Sequence, residues 1–198
     1  MNDSPKLFKD PVCEMMANSG QYEAAHEGIC YAFCSLQCRE RFVARPGLYV
    51  GIRGRPAAKQ KGTKLIRQRR VLLGQPLTQP QAAELMGALR TMMGVTRVNY
   101  FDQWTHDGHA SVPPREGSHT TAEVGLIEIR YDLLEATFAQ FERTIAGFGW
   151  QLANGPGDKL RRDFVHYLEE CELEDIENGD TGREQPRKRR HGIPAAPG

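Results

Sequence analysis

The sequence lacks the features that would place it in several well-defined protein classes. No run of apolar residues approaches the roughly 20 needed to cross a bilayer, and the opening residues lack the apolar stretch of a signal peptide. There is also no phosphate-binding loop, no nucleophile elbow and no recognisable pair of catalytic carboxylates. These absences predict a cytoplasmic protein that is neither inserted in a membrane nor an enzyme.

Net charge is small as well, at +1 for 198 residues, so whole-chain electrostatics do not indicate a nucleic-acid-binding protein. The positive charge is concentrated in residues 51–70, which contain eight Lys or Arg residues and no carboxylate. A mixture of Gly, Pro and basic residues is typical of a connection between domains, so 51–64 is predicted to be a flexible basic linker. The final stretch, 176–198, contains a basic run at 187–190 and few apolar residues, which predicts a disordered tail.

Cysteine is scarce and unevenly distributed, because four of the five cysteines fall within residues 13–38. In a cytoplasmic chain such a group favours metal binding over disulfides. Cys34 and Cys38 are four residues apart, so on a helix their Cβ atoms would lie about 5 to 6 Å apart on one face. Cys13 follows an Asp-Pro turn that could bring a third sulfur to the start of this helix. Three such thiolates would form a site for one thiophilic ion, zinc or copper.

The residues around these cysteines resemble a known family. Asp-Pro-Val-Cys-x-Met, Tyr-x-Phe-Cys-Ser-x-x-Cys and the trailing Phe and Pro-x-x-Tyr are similar to the YHS domain of the TRASH-like metal-binding group, over about residues 8–50. The chain departs from the family at Glu14, where Gly is usual, and at Ala32, which interrupts an aromatic pair. The resemblance implies a small treble-clef-like or zinc-ribbon-like module. Its implied metal ligands are Cys13, Cys34 and Cys38.

The fourth metal ligand is left open by the sequence. Cys30 precedes Cys34 by four residues, which span about 13 Å in a strand, so we expect Cys30 to be a small buried apolar residue instead of a ligand. The other candidates are His26 at the tip of a predicted hairpin, the Met15 thioether, a water molecule and a side chain of a partner.

A second pattern occupies residues 65–155, in the order strand, helix, strand, strand, helix, strand. Helices are predicted over 79–93 and 134–148, and the order is that of a ferredoxin-like βαββαβ domain. With Met93-Gly94-Val95-x-x-Val98 after the first helix and Gly147-Phe148-Gly149-Trp150 after the second, this region resembles the heavy-metal-associated domain of copper chaperones and metal ATPases. In that family two cysteines precede the first helix. No cysteine occurs in that loop here. This leaves two interpretations, a metal-free relative that provides a docking or dimerisation surface, or an unrelated ferredoxin-like domain. The predicted strands are 66–73, 95–101, 124–131 and one starting at 150.

Two further segments complete the predicted organisation. The insertion 102–123 is rich in Gly, Ser, Thr and Pro, which favours a mobile polar loop with solvated histidines over a second metal site. Its histidines are His106, His109 and His119. A C-terminal helix is predicted over 156–175, packed against the rest of the protein by apolar residues. These residues are Leu160, Phe164 and Leu168.

Together these patterns predict an α+β protein with a metal module at 8–50, a ferredoxin-like domain at 65–155 and a C-terminal helix. The favoured function is a heavy-metal-binding protein that carries, buffers or senses copper or zinc. Its expected partner is a heavy-metal transporting ATPase or another metal-handling protein, and a homodimer is left open. The alternative is a non-catalytic accessory module of an oxidoreductase, or a metal-responsive regulator associated with nucleic acid. Salt-sensitive binding to nucleic acid would indicate the regulator.

Overall fold

A computed structural model describes residues 7–18, 20–52, 54–102 and 125–179 as a mixed helix and sheet protein. The insertion histidines His106, His109 and His119 and the tail after Gly179 lie outside these residues. No helix in the described part of the chain is both long and apolar enough to cross a membrane.

Two small antiparallel hairpins form the start of the N-terminal part. Strands β1 (Leu7–Lys9) and β2 (Met16–Asn18) pair with each other, and β3 (Glu23–His26) pairs with β4 (Ile29–Ala32). The second hairpin, predicted from the sequence, is confirmed. It turns through Glu27 and Gly28, whose positive φ angles of 49° and 80° suit the twist of a two-residue hairpin loop.

Helix α1 (Leu36–Ala44) follows the second hairpin and confirms the predicted short helix. Its N-cap is Ser35, whose hydroxyl oxygen accepts a hydrogen bond from the Cys38 backbone N–H at 3.2 Å. Such a cap stabilises a helix by about 1 kcal/mol. The Phe42 ring packs 5.1 Å from the ring of Phe33, which fixes the helix against the hairpin. The short helix α2 (Gly47–Val50) comes next.

The second part contains a three-stranded antiparallel sheet in the order β5-β7-β6. Its strands are β5 (Ile66–Leu72), β6 (Val95–Phe101) and β7 (Leu126–Asp132), as predicted. In the described residues the predicted last strand is reduced to an isolated antiparallel bridge between Leu73 and Leu152, so the ferredoxin-like fold is not confirmed. Two backbone hydrogen bonds accompany this bridge, from the Ala153 N–H to the Leu72 carbonyl and from the Gly74 N–H to the Gln151 carbonyl, so residues 151–153 lie beside the end of β5 without forming a regular strand.

Helix α3 (Gln79–Thr91) connects β5 to β6, and helix α4 (Phe138–Gly147) follows β7. Each begins with a capping box, at Thr78 and Thr137, in which two backbone N–H groups at the helix start are satisfied. Helix α4 starts four residues later than the sequence pattern predicts. The cause is the cap at Thr137, since the preceding buried residues form a turn instead of a helix.

The C-terminal helix α5 (Pro156–Asn178) is longer than predicted and includes the first three residues of the predicted tail. The expected packing of Leu160 and Phe164 is wrong, because both are exposed. Glu169 and Leu173 face the interior instead. The Glu169 carboxylate accepts hydrogen bonds from the Tyr131 hydroxyl and from the Phe138 backbone N–H, and these bonds fix which side of α5 is buried.

The N-terminal hairpins and helices share one hydrophobic core with the sheet. Polar contacts from α1 reinforce this packing. The Gln37 side-chain amide donates to the carbonyls of Met93 at 3.0 Å and Glu135 at 3.1 Å, and Arg41 donates to the Leu133 carbonyl at 2.9 Å. The basic segment is also packed, because Lys59 forms an ion pair with Glu135. The domain boundaries at 50, 65 and 155 stay a prediction.

Titration of Glu169 should make stability depend on pH. Burial raises the pKa of this carboxyl above its ordinary value, despite its hydrogen bonds from Tyr131 and Phe138. A raised pKa means that the folded state holds the proton more tightly, so stability decreases as pH rises from about 4.3 through the raised pKa. In Glu169→Gln the amide can accept from Phe138 and donate to Tyr131 without a charge. Urea unfolding at a series of pH values should therefore show the wild type losing stability relative to this variant as pH rises; a constant difference would contradict the prediction.

Candidate metal centre

Cys13, Cys34 and Cys38, here called the thiol cluster, lie together although they come from two separate segments. The Cys13 and Cys34 sulfurs are 3.3 Å apart and the Cys34 and Cys38 sulfurs are 3.7 Å apart. The Asp10 carboxylate adjoins them, and the four potential ligand atoms lie within 4.8 Å of one another. In the described residues this is the one group of its kind.

Two local structures bring the sulfurs together. Cys34 immediately precedes Ser35, the N-cap of α1, and Cys38 lies in the first turn of this helix, so both sulfurs are at the helix start. Cys13 lies in the turn that joins β1 to β2, which is closed by a hydrogen bond from the Asp10 N–H to the Met15 carbonyl at 2.8 Å. In the same turn Glu14 has a φ of 66°, a conformation that favours glycine. A glycine would adopt this turn conformation without strain.

Asp10 organises the cluster and was missed as a functional residue by the sequence analysis. Its side chain is fully buried. One carboxylate oxygen accepts from the Val12 N–H at 2.8 Å and the Cys13 N–H at 3.4 Å, and the other accepts from the Cys34 N–H at 2.9 Å. Asp10 therefore ties the Cys13 turn to the start of α1. The available signal was the Asp-Pro pair, since aspartate side chains often bond to backbone N–H groups just ahead of them.

The three thiols differ in acidity. Hydrogen bonding from Cys38 lowers the pKa of Cys13 in spite of its partial burial. Burial and the hydrogen bond to Cys13 raise the pKa of Cys34 to about 12. The hydrogen bond to Cys13, followed by burial, raises the pKa of Cys38 as well. Cys13 is therefore the most acidic of the three thiols, and a bound cation would have to displace the protons of Cys34 and Cys38.

The spacing of the sulfurs fits a single thiophilic ion. Zinc binds thiolate sulfur at about 2.3 Å with tetrahedral angles, which requires sulfurs about 3.8 Å apart. The distances of 3.3 and 3.7 Å are close to this value. Cys13 and Cys34 are partly exposed whereas Cys38 is buried, so the cluster is open to solvent on one side. An ion held there could exchange with an incoming ligand.

The candidates for a fourth ligand differ in how close they lie to the thiol cluster. Cys30 is exposed and lies outside the cluster, so the expectation that it is buried is wrong. Along β4 the first two residues are exposed, and burial begins only at Tyr31 and Ala32, which follow Cys30. His26 is also outside the cluster, with its ring 6.0 Å from that of Phe42. Met15 is exposed, while Asp10 is near enough to contribute an oxygen.

Substitution of Asp10 by asparagine should weaken metal binding about 10- to 100-fold, the usual effect of losing a group that positions ligands. The amide would place a donor against the Cys34 N–H, which now donates to a carboxylate oxygen. Competition titration against a chromophoric chelator would measure the change. Glu14→Gln is the matched control, because that exposed carboxylate pairs only with Lys9 among the described residues. Equal affinities of wild type and Asp10→Asn would contradict a positioning role.

Comparison with known proteins yields no relative. No protein-family model matches the chain, and no curated protein or solved structure matches it. The YHS and heavy-metal-associated resemblances therefore stay predictions. What the structure does establish is a cluster of three cysteines and one aspartate that could hold a metal ion.

Proposed function

We propose that this protein binds one zinc or copper ion through Cys13, Cys34 and Cys38 and acts in heavy-metal trafficking, buffering or sensing. The observation that carries this proposal is the convergence of three sulfurs at 3.3 and 3.7 Å. The resemblance of residues 8–50 to YHS domains, which stays a prediction, implies the same three ligands. When bound, the ion would supply a charge that neutralises the thiolates and links the β1–β2 turn to α1.

The protein's own residues have distinct parts in this function. Cys38 is a buried, fixed ligand, while the partly exposed Cys13 and Cys34 face the side from which an ion would enter or leave. Asp10 holds the two cysteine segments in register. The second part of the chain, a cysteine-free relative of the ferredoxin-like metal domains, would serve as a docking surface for a metal-transporting ATPase or another metal-handling protein.

The alternative of a nucleic-acid-associated regulator is less favoured, because three of the eight cations in residues 51–70 are already paired with carboxylates of the chain. Lys59 pairs with Glu135, Arg67 with Glu172 at 2.6 Å, and Arg70 with Glu128 at 3.3 Å. Cations already paired with carboxylates contribute little to phosphate binding. The cytoplasmic location and the absence of catalysis belong to the proposal as well.

Metal analysis of untagged protein purified without chelators tests the proposal directly. We expect about one equivalent of zinc or copper per chain, because the three thiols are close enough to share a single ion. Replacement of the ion by cobalt(II) should give a thiolate-to-cobalt charge-transfer band that disappears in the triple Cys→Ser variant. Metal retained by the triple variant, or a cobalt complex without this band, would refute the site. Trafficking further requires transfer of the ion to a thiol-containing acceptor faster than its release to buffer alone.

A further inference from the structure

The thiol cluster contains a pair of sulfurs placed for oxidation to a disulfide. The Cys13 and Cys34 sulfurs are 3.3 Å apart, whereas those of Cys34 and Cys38 are 3.7 Å apart. A disulfide bond is about 2.05 Å long, so the closer pair needs to approach by only about 1.3 Å. From this geometry we propose that a hydroperoxide oxidises Cys13 and Cys34 to a reversible disulfide, which removes two of the three metal-binding thiolates. The release of metal rests on the proposed function, whereas formation of the disulfide does not.

Exposure to solvent distinguishes this pair from the third thiol. Cys13 and Cys34 are partly exposed, whereas Cys38 is fully buried. An oxidant in solution can therefore reach either member of the pair but not Cys38. Oxidation-sensitive cysteines are typically accessible and have a second thiol alongside that captures the oxidised sulfur. Cys30 is exposed but lies outside the cluster, so it satisfies only the first of these conditions.

Asp10 holds the two segments that carry the pair. Its carboxylate accepts hydrogen bonds from the backbone N–H groups of Cys13 at 3.4 Å and of Cys34 at 2.9 Å. A single buried side chain thus fixes the main chain at two positions 21 residues apart. Because folding has already closed this loop, a bond between the two sulfurs costs little further chain entropy.

The reaction balances with the hydroperoxide as the only outside reagent. One sulfur of the pair, as the thiolate, attacks a peroxide oxygen, and the O–O bond breaks to give a cysteine sulfenic acid. The departing hydroxide or alkoxide takes the proton that this thiol gave up. The second sulfur then attacks the sulfenic sulfur, so that the S–S bond forms, the S–O bond breaks and the second thiol proton leaves with the oxygen as water. The two thiols lose two electrons, which the peroxide gains, and a dithiol reductant reverses the step by exchange.

The disulfide changes what the cluster can bind. Sulfurs bonded to each other are no longer thiolates, the form in which cysteine binds a metal. Of the four candidate ligands only Cys38 and Asp10 then remain. The new bond also links the β1–β2 turn to α1 in place of the ion. Peroxide therefore converts a metal-holding cluster into a metal-free, cross-linked one, and reduction restores it.

Peptide mapping of the metal-free full chain, treated with hydrogen peroxide and then alkylated, tests the disulfide. Digestion with Glu-C and chymotrypsin separates the four N-terminal cysteines, because cleavable residues lie between them. These residues are Glu14, Tyr31, Phe33 and Leu36. Mass spectra should show a Cys13–Cys34 linkage that dithiothreitol abolishes. No disulfide, or a main product linked through Cys38 or Cys30, would overturn the proposal.

Three variants assign the bond to this pair. Cys38→Ala should still form the disulfide, because no step uses the buried thiol, and Cys13→Ser should lose it although Cys34 and Cys38 are both retained. Cys30→Ser is the matched control, since it removes an exposed cysteine outside the cluster, and it should react as the wild type does. A Cys13→Ser chain that forms an intramolecular disulfide as readily as the wild type would contradict the pairing. Should Cys38→Ala fail to fold, the wild-type peptide map alone decides.

Release of zinc, followed with a chromophoric indicator, tests the consequence for metal binding. Zinc has no redox chemistry of its own, so the electrons come from the thiols, and about one equivalent should be released for each Cys13–Cys34 disulfide formed. Zinc retained after the disulfide has formed would overturn the release. A chain that forms the disulfide but never binds zinc or copper would refute the proposed function and the release with it, while supporting the oxidation site. A chain that binds zinc but forms no such disulfide would refute the oxidation site alone.

Discussion

Replacement of Cys34 by serine should reduce metal content from about one equivalent per chain to a background level. Cys34 is the central member of the thiol cluster, with its sulfur 3.3 Å from that of Cys13 and 3.7 Å from that of Cys38. A hydroxyl oxygen is a harder donor and is not ionised at neutral pH, so two thiolates would remain to hold a soft ion. Elemental analysis and cobalt(II) absorption would measure the loss.

Cys30→Ser is the matched control for this experiment. It makes the same chemical change four residues earlier, at an exposed cysteine outside the cluster. Its metal content should equal that of the wild type. If both variants lose metal equally, cysteine content and not the geometry of the cluster determines binding. If Cys34→Ser keeps its metal, the three-cysteine assignment is incorrect.

Truncation of Phe141 to alanine should lower the free energy of unfolding by about 3 to 5 kcal/mol, the range for large aromatic side chains in a core. Phe141 lies on α4, is fully buried, and has its ring 4.7 Å from that of Tyr131 on β7. Its removal leaves a cavity between helix and sheet that rigid neighbours cannot fill. Urea-induced unfolding of the full chain, followed by circular dichroism, would provide the measurement.

Phe164→Ala serves as the control for the Phe141 prediction, because it removes the same atoms from a side chain that is 57% exposed. Its effect on the free energy of unfolding should be below about 1 kcal/mol, as is usual for surface positions. A Phe141 effect as small as that of Phe164 would mean that α4 does not pack on the sheet as described.

The regular elements could be predicted because their signals are local. The turn at Glu27 and Gly28, the Thr78 cap and the apolar spacing in 79–93 each act within a few residues, and the structure follows them closely. The extent of the last strand and the packing of α5 were not predicted correctly, because they depend on contacts between distant parts of the chain. Whether residues near 150 pair with β5, or whether Phe164 or Glu169 faces inward, depends on distant partners that spacing does not reveal.

The candidate site likewise combines features that could be predicted from local sequence with contacts that depend on the tertiary structure. The four-residue spacing of Cys34 and Cys38 on a capped helix is a property of the sequence, and so is the turn that carries Cys13. Their convergence depends on Asp10, whose bonds to the N–H groups of Val12 and Cys34 exist only once the β1–β2 turn lies against α1. Likewise, Gln37 and Arg41 could not be recognised as links to the sheet, because their backbone partners lie more than fifty residues away.

The sequence by itself therefore determined the chemistry available to this protein: three thiols in a metal-binding pattern, a cysteine-free loop before α3, and strongly periodic helices. Those features follow from residue type and short-range geometry, which the chain carries in any conformation. Only the tertiary structure decided that the N-terminal hairpins share a core with the sheet, that Cys30 is excluded from the cluster and that Leu160 and Phe164 face solvent. These outcomes depend on which surfaces bury each other, a choice set by the packing of the whole chain and not by any one segment.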